Sequence, residues 1–448
     1  MRACAPVMLS GLVIFIALGS RTARAQDPPP EREVALPEVA GVRFSGFFVG
    51  SANYNSRIQM VPEFAGNAPV TSEPGHIDFR FDQFTIGAYK TFAPWLSAGA
   101  SIEIERHAHR HSHGFTDAGE FGCPGTAPCT EQFGSEPVTT EVSLHRFNVT
   151  AVVPVGNGIA LSVGRFDTPF GYERHDAALN LTATISELQR FGRPQSMTGI
   201  TVAVQPTPWL DVTAWLVNRW ENETTEDSPE DNNAAKSVGG RIGFTPIQGT
   251  GLLNLGIGGF WGPEQDDDNG NARWIIDADL TWSPIPRWTI AAEALHGGES
   301  GVSFRRRGAP FAAPAVNDAT VTWSALYLVA HFDLMEWLGV SARYGWFDDN
   351  DGARTGVAQA LHSFTLAPIV HLSRLVAGLR PMGVAYARTQ HPIDWVDLRF
   401  EYRLTTSRFS SFFGDSGPTV FANEGPAVPV LVATGTAQQF TFQVIANF

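Results

Sequence analysis

Charged side chains stand at every second position in several segments of this 448-residue chain. Glu103 and Glu105 follow this spacing in one segment, and the stretch from Asp397 to Arg403 follows it in another. Because successive side chains of a β-strand point to opposite faces, each set would share one face of its strand. Charges of both signs are costly in a dry interior and stable in water. The spacing therefore predicts a wetted, charged surface that ions or polar solutes can approach.

We expect this surface to be built from charged residues of strand-like segments along most of the chain. The predicted lining residues are Arg80, Glu103, Glu105, Arg165, Arg241, Asp277, Asp279, Glu293, Arg343, Asp397, Arg399, Glu401 and Arg403. A second charged set lies in the segment 167–198 and consists of Glu173, Arg174, His175, Asp176, Arg190 and Arg193. This segment either folds inward and narrows a pore or forms an outward surface loop.

Histidines and cysteines offer a different chemistry in the segment 107–129. The histidines alternate along it: His107, His109, His111 and His113. On one face of a strand they could hold Zn or Cu, although a solvated, histidine-rich strand rim is the favoured interpretation. Cys123 and Cys129 flank a Pro-Gly-Thr-Ala-Pro stretch, and exported proteins pass through an oxidising periplasm. We predict a small loop disulfide between these cysteines, no metal site and no cofactor.

The segments that carry the charged residues alternate apolar and polar positions with the period of a β-strand. In the last segment, Phe440, Phe442 and Val444 fall on one face, whereas Thr441 and Gln443 fall on the other. A soluble β-sandwich alternates in the same way, so the period alone does not identify a membrane barrel. The mean hydropathy of −0.06 excludes a bundle of membrane helices, which needs repeated runs of about 20 apolar residues.

Connection lengths and tryptophan positions favour the membrane barrel. Short and long connections alternate along the chain, as the turns and outer loops of outer-membrane barrels do. Tryptophans recur just after the short connections, at Trp95, Trp209, Trp288 and Trp337. Such a repeat would place aromatic side chains at one membrane interface.

These patterns predict an all-β fold, a transmembrane antiparallel β-barrel of about sixteen strands with short periplasmic turns and long extracellular loops. The expected strands lie near 42–54, 76–91, 95–107, 141–153, 159–166, 199–206, 210–220, 236–245, 252–261, 273–283, 288–297, 320–331, 340–347, 361–370, 394–405 and 438–448. An even number places both chain ends on the periplasmic side. The connection 371–393 is long for a periplasmic turn and could contain another hairpin near Val384 to Arg388, which would make eighteen strands.

The beginning of the chain predicts export. Arg2 precedes an apolar stretch from Val7 to Leu18, and Ala23-Arg24-Ala25 offers a small-x-small cleavage site. Residues 26–40 are rich in Pro and Glu, which is typical of a flexible segment. We predict a cleaved signal peptide at 1–25, a flexible periplasmic segment at 26–40 and a barrel in the outer membrane at 41–448.

The stretch GRFDTPFGYE, from Gly164 to Glu173, resembles the strand-to-loop signature of OmpL-like putative β-barrel porins and, more loosely, of phosphate-selective porins. Further stretches resemble the same family in the same order: LQRFGRPQSMTG from Leu188, VNRW from Val217, Asn232-Asn233 followed by Lys236, and LRFEYR from Leu398. The resemblance extends from about residue 160 to the C-terminus. It implies passive diffusion of small polar solutes and supplies no catalytic residues.

We therefore predict an outer-membrane porin with a water-filled channel. The alternatives are a barrel enzyme of lipase or protease type and an adhesion or anchoring barrel that acts through its loops. Ser143 and His145 could serve an enzyme, but no nucleophile motif such as GxSxG accompanies them. The expected partners are outer-membrane lipids and small polar solutes or ions, with either a monomer or a homotrimer as the assembly. Nucleic acid is not expected, because the basic run from Arg305 to Arg307 is short and isolated.

Overall fold

The computed structural model of the chain describes most of residues 38–448. It leaves out 57, 60–76, 108–111, 114, 117–119, 122–131, 134–138, 221–230, 232, 250, 266, 306–314, 356–357, 377–383, 387–388, 408–411, 414–418, 421–427 and 430–432. The predicted signal peptide and the predicted Cys123–Cys129 disulfide lie outside the described residues. So do His109 and His111, together with the side chains of His107 and His113.

Sixteen strands form one closed antiparallel barrel. They are β1 Val42–Asn55, β2 Ile77–Ala93, β3 Leu96–His107, β4 Thr139–Val153, β5 Ile159–Asp167, β6 Ser196–Thr207, β7 Leu210–Val217, β8 Ser237–Ile247, β9 Leu253–Pro263, β10 Ala272–Trp282, β11 Trp288–Arg305, β12 Ala315–Met335, β13 Leu338–Asp349, β14 Gln359–His371, β15 Val396–Ser407 and β16 Thr436–Asn447. The sequence-based prediction of a sixteen-stranded barrel is confirmed, and every expected strand has its counterpart.

The barrel closes between its first and last strands. β1 and β16 pair in register from Phe47 opposite Asn447 to Asn55 opposite Gln439. Beyond that ladder, the amide of Gly46 donates to the carbonyl of Phe448, and the amide of Phe448 donates back to Gly46, both at 2.9 Å. Closure leaves no strand edge unpaired, and an unpaired edge would be costly in hydrocarbon.

The connection between β14 and β15 does not add strands to the barrel. It contains a helical turn at Leu372–Leu375 and a hairpin of Val384–Tyr386 with Thr389–Ile393 that pairs only with itself. The alternative of eighteen barrel strands is therefore wrong. Short strands outside the barrel wall are Glu38–Val39, Ile58–Gln59, Ser112–His113, Phe115–Thr116, Glu120–Phe121, Gln132–Phe133, Phe412–Phe413, Thr419–Val420, Val428–Pro429 and Ala433–Thr434.

The two faces of the barrel wall follow the alternation of the sequence. On β10, Ile276 is 58% exposed on the outer face, whereas Asp277 is fully buried on the inner face. Aromatic side chains at the short turns also lie outside, with Trp95, Trp209 and Trp288 all exposed. An apolar outer face with aromatic residues near one rim is the surface expected of a barrel in a lipid bilayer.

The interior of the barrel is occupied by the connection between β5 and β6, residues 168–195, which we call the inward loop. It contains a 3₁₀-helix at Ala177–Leu179 and a π-helical turn at Leu188–Gly192. Apart from Leu179 and Arg190, every residue of the inward loop is buried. No helix among the described residues combines the length and the apolar character needed to cross a membrane.

Candidate functional site

The charged residues predicted to line the interior lie mostly on the inner face of the wall. The buried ones are Glu103, Arg241, Asp277, Asp279, Glu293, Arg343, Asp397, Arg399, Glu401 and Arg403. Arg80 is half-buried and lies at the end of the barrel where β1 terminates. Its Nε lies 3.4 Å from Asp78 Oδ2. The side chain of Glu105 lies outside the described residues. Whether the set lines a water-filled channel stays a prediction.

Arg165 departs from the rest of the set. It follows Val163, which is 57% exposed on the outside, whereas the buried Phe166 comes next to it. Strand alternation therefore puts Arg165 on the outer side of β5, where it donates to Ser196 Oγ at 3.1 Å. The alternation of exposed and buried residues along β5 does not support the expectation that Arg165 lines the interior.

The inner face holds the inward loop through β13 and β15. Arg343 Nη1 lies 3.0 Å from Glu173 Oε1 and donates to Thr182 Oγ1 at 2.7 Å. Glu401 Oε2 accepts the backbone amides of Ala183 at 2.6 Å and Thr184 at 3.2 Å. These charge-assisted contacts fix the middle of the loop against the wall.

Two further arginines of β15 bind the loop on either side of this middle section. Arg399 Nη1 donates to the carbonyl of Ala177 at 2.8 Å, and its Nη2 donates to that of Ala178 at 3.2 Å. Arg403 donates to Glu187 and, at 2.9 Å, to the carbonyl of Ile185. The inner charges of this wall section are therefore satisfied by the loop, not only by solvent.

The other contacts of the loop reach a different section of the wall. Arg193 Nε lies 2.6 Å from Glu293 Oε1 on β11, and Trp323 Nε1 on β12 donates to the carbonyl of Gly192 at 3.1 Å. Gly171, at φ +63°, approaches the same carboxylate so closely that a Cβ would lie 1.8 Å from Glu293 Oε2. The loop is thus held on several sides of the barrel.

A third set of contacts joins the loop to β3 and β4. His175 Nε2 lies 2.9 Å from both carboxylate oxygens of Glu103, and His145 Nδ1 lies 3.0 Å from Glu103 Oε2. The two imidazoles stack with ring centroids 4.2 Å apart. Arg146 bridges the wall and the loop, at 2.8 Å from Asp167 and 2.6 Å from Asp176.

A β-bulge explains how β4 presents two consecutive polar side chains to the interior. The register of β4 against β3 shifts between Leu144 and Arg146, so that His145 is the extra residue. Both His145 and Arg146 are buried, whereas Leu144 is exposed. In a regular strand, one of the two polar side chains would face the outside.

Burial shifts the pKa values of charged side chains in the inward loop. Burial lowers the pKa of Arg174 to about 10, and the neighbouring positive charge of Arg193 adds to the effect. Burial alone would raise the pKa of Glu187, but the positive charges of Arg403 and Arg343 and the hydrogen bond from Ser363 together outweigh it, so that this pKa lies below its ordinary value. Glu187 is therefore ionised when the loop is in place.

The sequence does not indicate that Asp167 or Trp323 contributes to the site, and it suggests His145 only as a residue that could serve an enzyme. Asp167 ends β5 and lies 3.3 Å from His145, the extra residue of the bulge, which the sequence pattern does not reveal. Trp323 stands in an alternating strand in the sequence, and only the structure shows its indole beneath the loop. Asp167 is the first residue of the charged segment 167–198, and this position was a signal that could have included it.

Two clusters among the described residues have ligand atoms close enough to hold a metal ion. One consists of Glu103, His145 and His175, and the other of His371, Asp394 and Asp397. Asp394 accepts the backbone amides of Ser373 at 2.8 Å and Trp395 at 2.9 Å, which fixes the connection after β14. This second cluster is explained by chain packing.

Comparison with known proteins gives one family and a set of barrels. The family model described as putative beta-barrel porin-2, OmpL-like, matches residues 121–448. No curated protein matches the chain.

Solved structures with a similar fold include an anion-selective porin from Comamonas acidovorans, at 10% identity and a TM-score of 0.52 over 91% of this chain and 99% of that chain. The outer membrane channel DcaP of Acinetobacter baumannii has 11% identity and a TM-score of 0.51 over 93% of this chain and 100% of that chain. OmpF of Salmonella typhi has 12% identity and a TM-score of 0.51 over 91% of this chain and 97% of that chain. These similarities concern the fold.

Proposed function

Because the chain belongs to the family of OmpL-like putative beta-barrel porins, we propose that small polar solutes and ions diffuse passively through the interior of its barrel. It is an outer-membrane porin, and the solved structures that share its fold include an anion-selective porin and an outer membrane channel. Export by a cleaved signal peptide belongs to the same proposal, with either a monomer or a homotrimer as the assembly.

The observation that carries this function is a closed sixteen-stranded wall with an apolar outer face and charged residues inside. Barrels of about eight strands fill with their own side chains, whereas barrels of about sixteen leave room for an aqueous channel. Here that room receives the inward loop, whose polar groups meet the charged residues of the wall. A barrel with no aqueous role could fill its interior with apolar side chains and avoid the desolvation of these charges.

The inward loop is the element that narrows the channel in this proposal. Its contacts on β3, β11, β13 and β15 reach widely separated parts of the wall. A solute would pass through the space that these contacts leave, beside charged groups of both signs. Size limits and charge preference would then be set by the loop more than by the wall.

Planar-bilayer recording of the purified full chain tests this function. We expect stepwise current increments in KCl as single barrels insert, and a slow release of small sugars from liposomes that contain the protein. Heat-denatured protein in the same detergent is the control. A folded barrel that inserts into liposomes but carries no current and releases no solute would contradict the proposal.

A further inference from the structure

We propose that Glu103, His145 and His175 bind a divalent transition-metal ion of the zinc class, which joins the inward loop to the barrel wall. The three side chains come from separate parts of the chain: β3, β4 and the loop. All three are buried on the inner side of the barrel. Two imidazoles and one carboxylate are a donor set that suits zinc, whereas calcium and magnesium prefer oxygen ligands alone.

The distances among the donor atoms are close to those of a tetrahedral site. Ligands bound to zinc at about 2.0–2.1 Å stand about 3.3 Å apart at the corners of a tetrahedron. Glu103 Oε2 lies 3.0 Å from His145 Nδ1 and 2.9 Å from His175 Nε2. One ligand atom from each of the three residues lies within 4.8 Å of the other two. A bound ion would require each nitrogen–oxygen edge to lengthen by only a few tenths of an ångström.

The surroundings supply one of the two metal-binding histidines, His145, with an outer contact. When one nitrogen of an imidazole binds a metal, the other usually donates to a carboxylate, which fixes the ring. His145 Nε2 lies 3.3 Å from Asp167 Oδ1, and Asp167 in turn lies 2.8 Å from Arg146 Nε. Arg146 pairs with the carboxylates of Asp167 at 2.8 Å and Asp176 at 2.6 Å. A divalent cation would add positive charge beside the third carboxylate of the cluster, that of Glu103.

A β-bulge brings two neighbouring polar side chains to this cluster. His145 is the extra residue of the bulge, and the register shift lets Arg146 face inward beside it, so that the imidazole lies 3.0 Å from Glu103 and the guanidinium lies 2.8 Å from Asp167. Bulges that turn a side chain towards a site are structural features and not defects. Three protein ligands leave a fourth position of the ion open for water or a small anion.

The consequence for the channel rests on the proposed function. His175 belongs to the inward loop, so an ion shared with β3 and β4 holds the loop at one more place on the wall. We expect the ion to make the open-channel current steadier.

Isothermal titration calorimetry of the full chain in detergent, with zinc chloride as the probe, tests the site without any need for conduction. The protein should carry no purification tag of histidines. It should also carry His107→Asn, His109→Asn, His111→Asn and His113→Asn, because those four residues could bind zinc themselves. We expect one zinc ion per chain in this background.

Three substitutions separate a ligand from a merely structural side chain. His145→Gln and His175→Gln keep a polar group near Glu103 but remove the imidazole. Each should weaken zinc binding more than about 100-fold, which exceeds the effect of removing a residue that only contacts a ligand. His331→Gln removes another buried wall histidine, which lies 3.1 Å from Asp333, and should leave zinc affinity unchanged.

The absence of stoichiometric zinc binding in the background protein would overturn the site, and so would binding that both glutamine variants retain. The porin proposal is decided separately by the bilayer recordings. A silent barrel that binds one zinc ion would contradict the channel and support the site, whereas a conducting barrel without zinc binding would contradict the site alone.

Discussion

The guanidinium of Arg343, on β13, lies 3.0 Å from the carboxylate of Glu173 in the inward loop, and both side chains are buried. The same guanidinium donates to the hydroxyls of Thr182 and Thr184, at 2.7 and 2.8 Å. One wall arginine thus gathers two separate stretches of the loop. Removing one partner of a buried ion pair leaves an uncompensated charge, which costs far more than the intact pair contributes.

We predict that Arg343→Met loosens the inward loop. The expected cost is about 3–5 kcal/mol, because Glu173 stays buried without its partner. Limited trypsin digestion of the folded barrel measures the effect, since cleavage after Arg174, Arg190 or Arg193 becomes faster when the loop leaves the wall.

Two comparison variants make this prediction specific. The double variant Arg343→Met with Glu173→Gln should recover part of the protection, because no ionised carboxylate is left unpaired. Arg273→Met breaks a 2.8 Å pair with Glu299 between two neighbouring strands of the wall and should leave loop cleavage unchanged. Equal trypsin rates in the wild type and Arg343→Met would show that the pair does not hold the loop.

Shortening the inward loop should enlarge the channel. We predict that replacement of residues 174–191 by a short Gly-Ser linker raises single-channel conductance severalfold. The wall should still form, because β5 and β6 pair through their own backbones from Ile159 opposite Val204 to Asp167 opposite Ser196. Replacement of the acidic segment 221–230 by the same Gly-Ser linker is the control. Unchanged conductance in the loop variant would mean that the loop does not narrow the path of ions.

The close approach of Gly171 to β11 gives a smaller and more local test. Gly171→Ala would put a Cβ 1.8 Å from Glu293 Oε2 at a φ of +63°, so the loop must move away from the wall there. We predict faster trypsin cleavage after Arg174 and a changed single-channel conductance. Gly156→Ala is the matched control, because Gly156 has a φ of +60° and open space around its missing Cβ. A Gly171→Ala protein that behaves like this control would contradict the close approach.

Strand positions were predictable because the outer face of a membrane barrel must be apolar along its whole height. In the last strand, Phe440 and Phe442 alternate with Thr441 and Gln443, and the structure exposes the first two and buries the others. The strand count could be obtained from this period together with the lengths of the connections.

The site was less predictable because its contacts join residues that are far apart in the chain. Strand alternation failed at β4, where a bulge turns both His145 and Arg146 inward. For Arg165 it was the charge that misled, because alternation along β5 points its side chain to the outer side with Val163. The segment 167–198 left inward and outward positions equally open, since the wall partners of Glu173 and Glu187, which are Arg343 and Ser363, lie more than 150 residues further along the chain.

Stability should depend on pH through Glu264, which directly follows β9. Its carboxylate accepts the amide of Trp220 and the hydroxyl of Ser237, and burial raises its pKa from 4.5 to about 7. Between these two values the unfolded chain has lost this proton while the folded chain still binds it. The contribution of Glu264 to stability is therefore present below pH 4.5 and is lost as the pH rises to about 7.

We predict that the wild-type barrel unfolds at a higher temperature at pH 5 than at pH 8, and that Glu264→Gln reduces this difference because the amide does not ionise. The contribution is a few kcal/mol at most, from about 1.4 kcal/mol per pKa unit. Asp268→Asn is the control: Asp268 is solvent-exposed, and hydrogen bonds from Gly270 and Asn271 keep its pKa below the ordinary value, so it stays ionised at both pH values. Heat-induced loss of the β-sheet circular dichroism signal measures all three proteins. An equal pH effect in the wild type and Glu264→Gln would show that other groups cause it, since only the carboxyl of Glu264 differs between them.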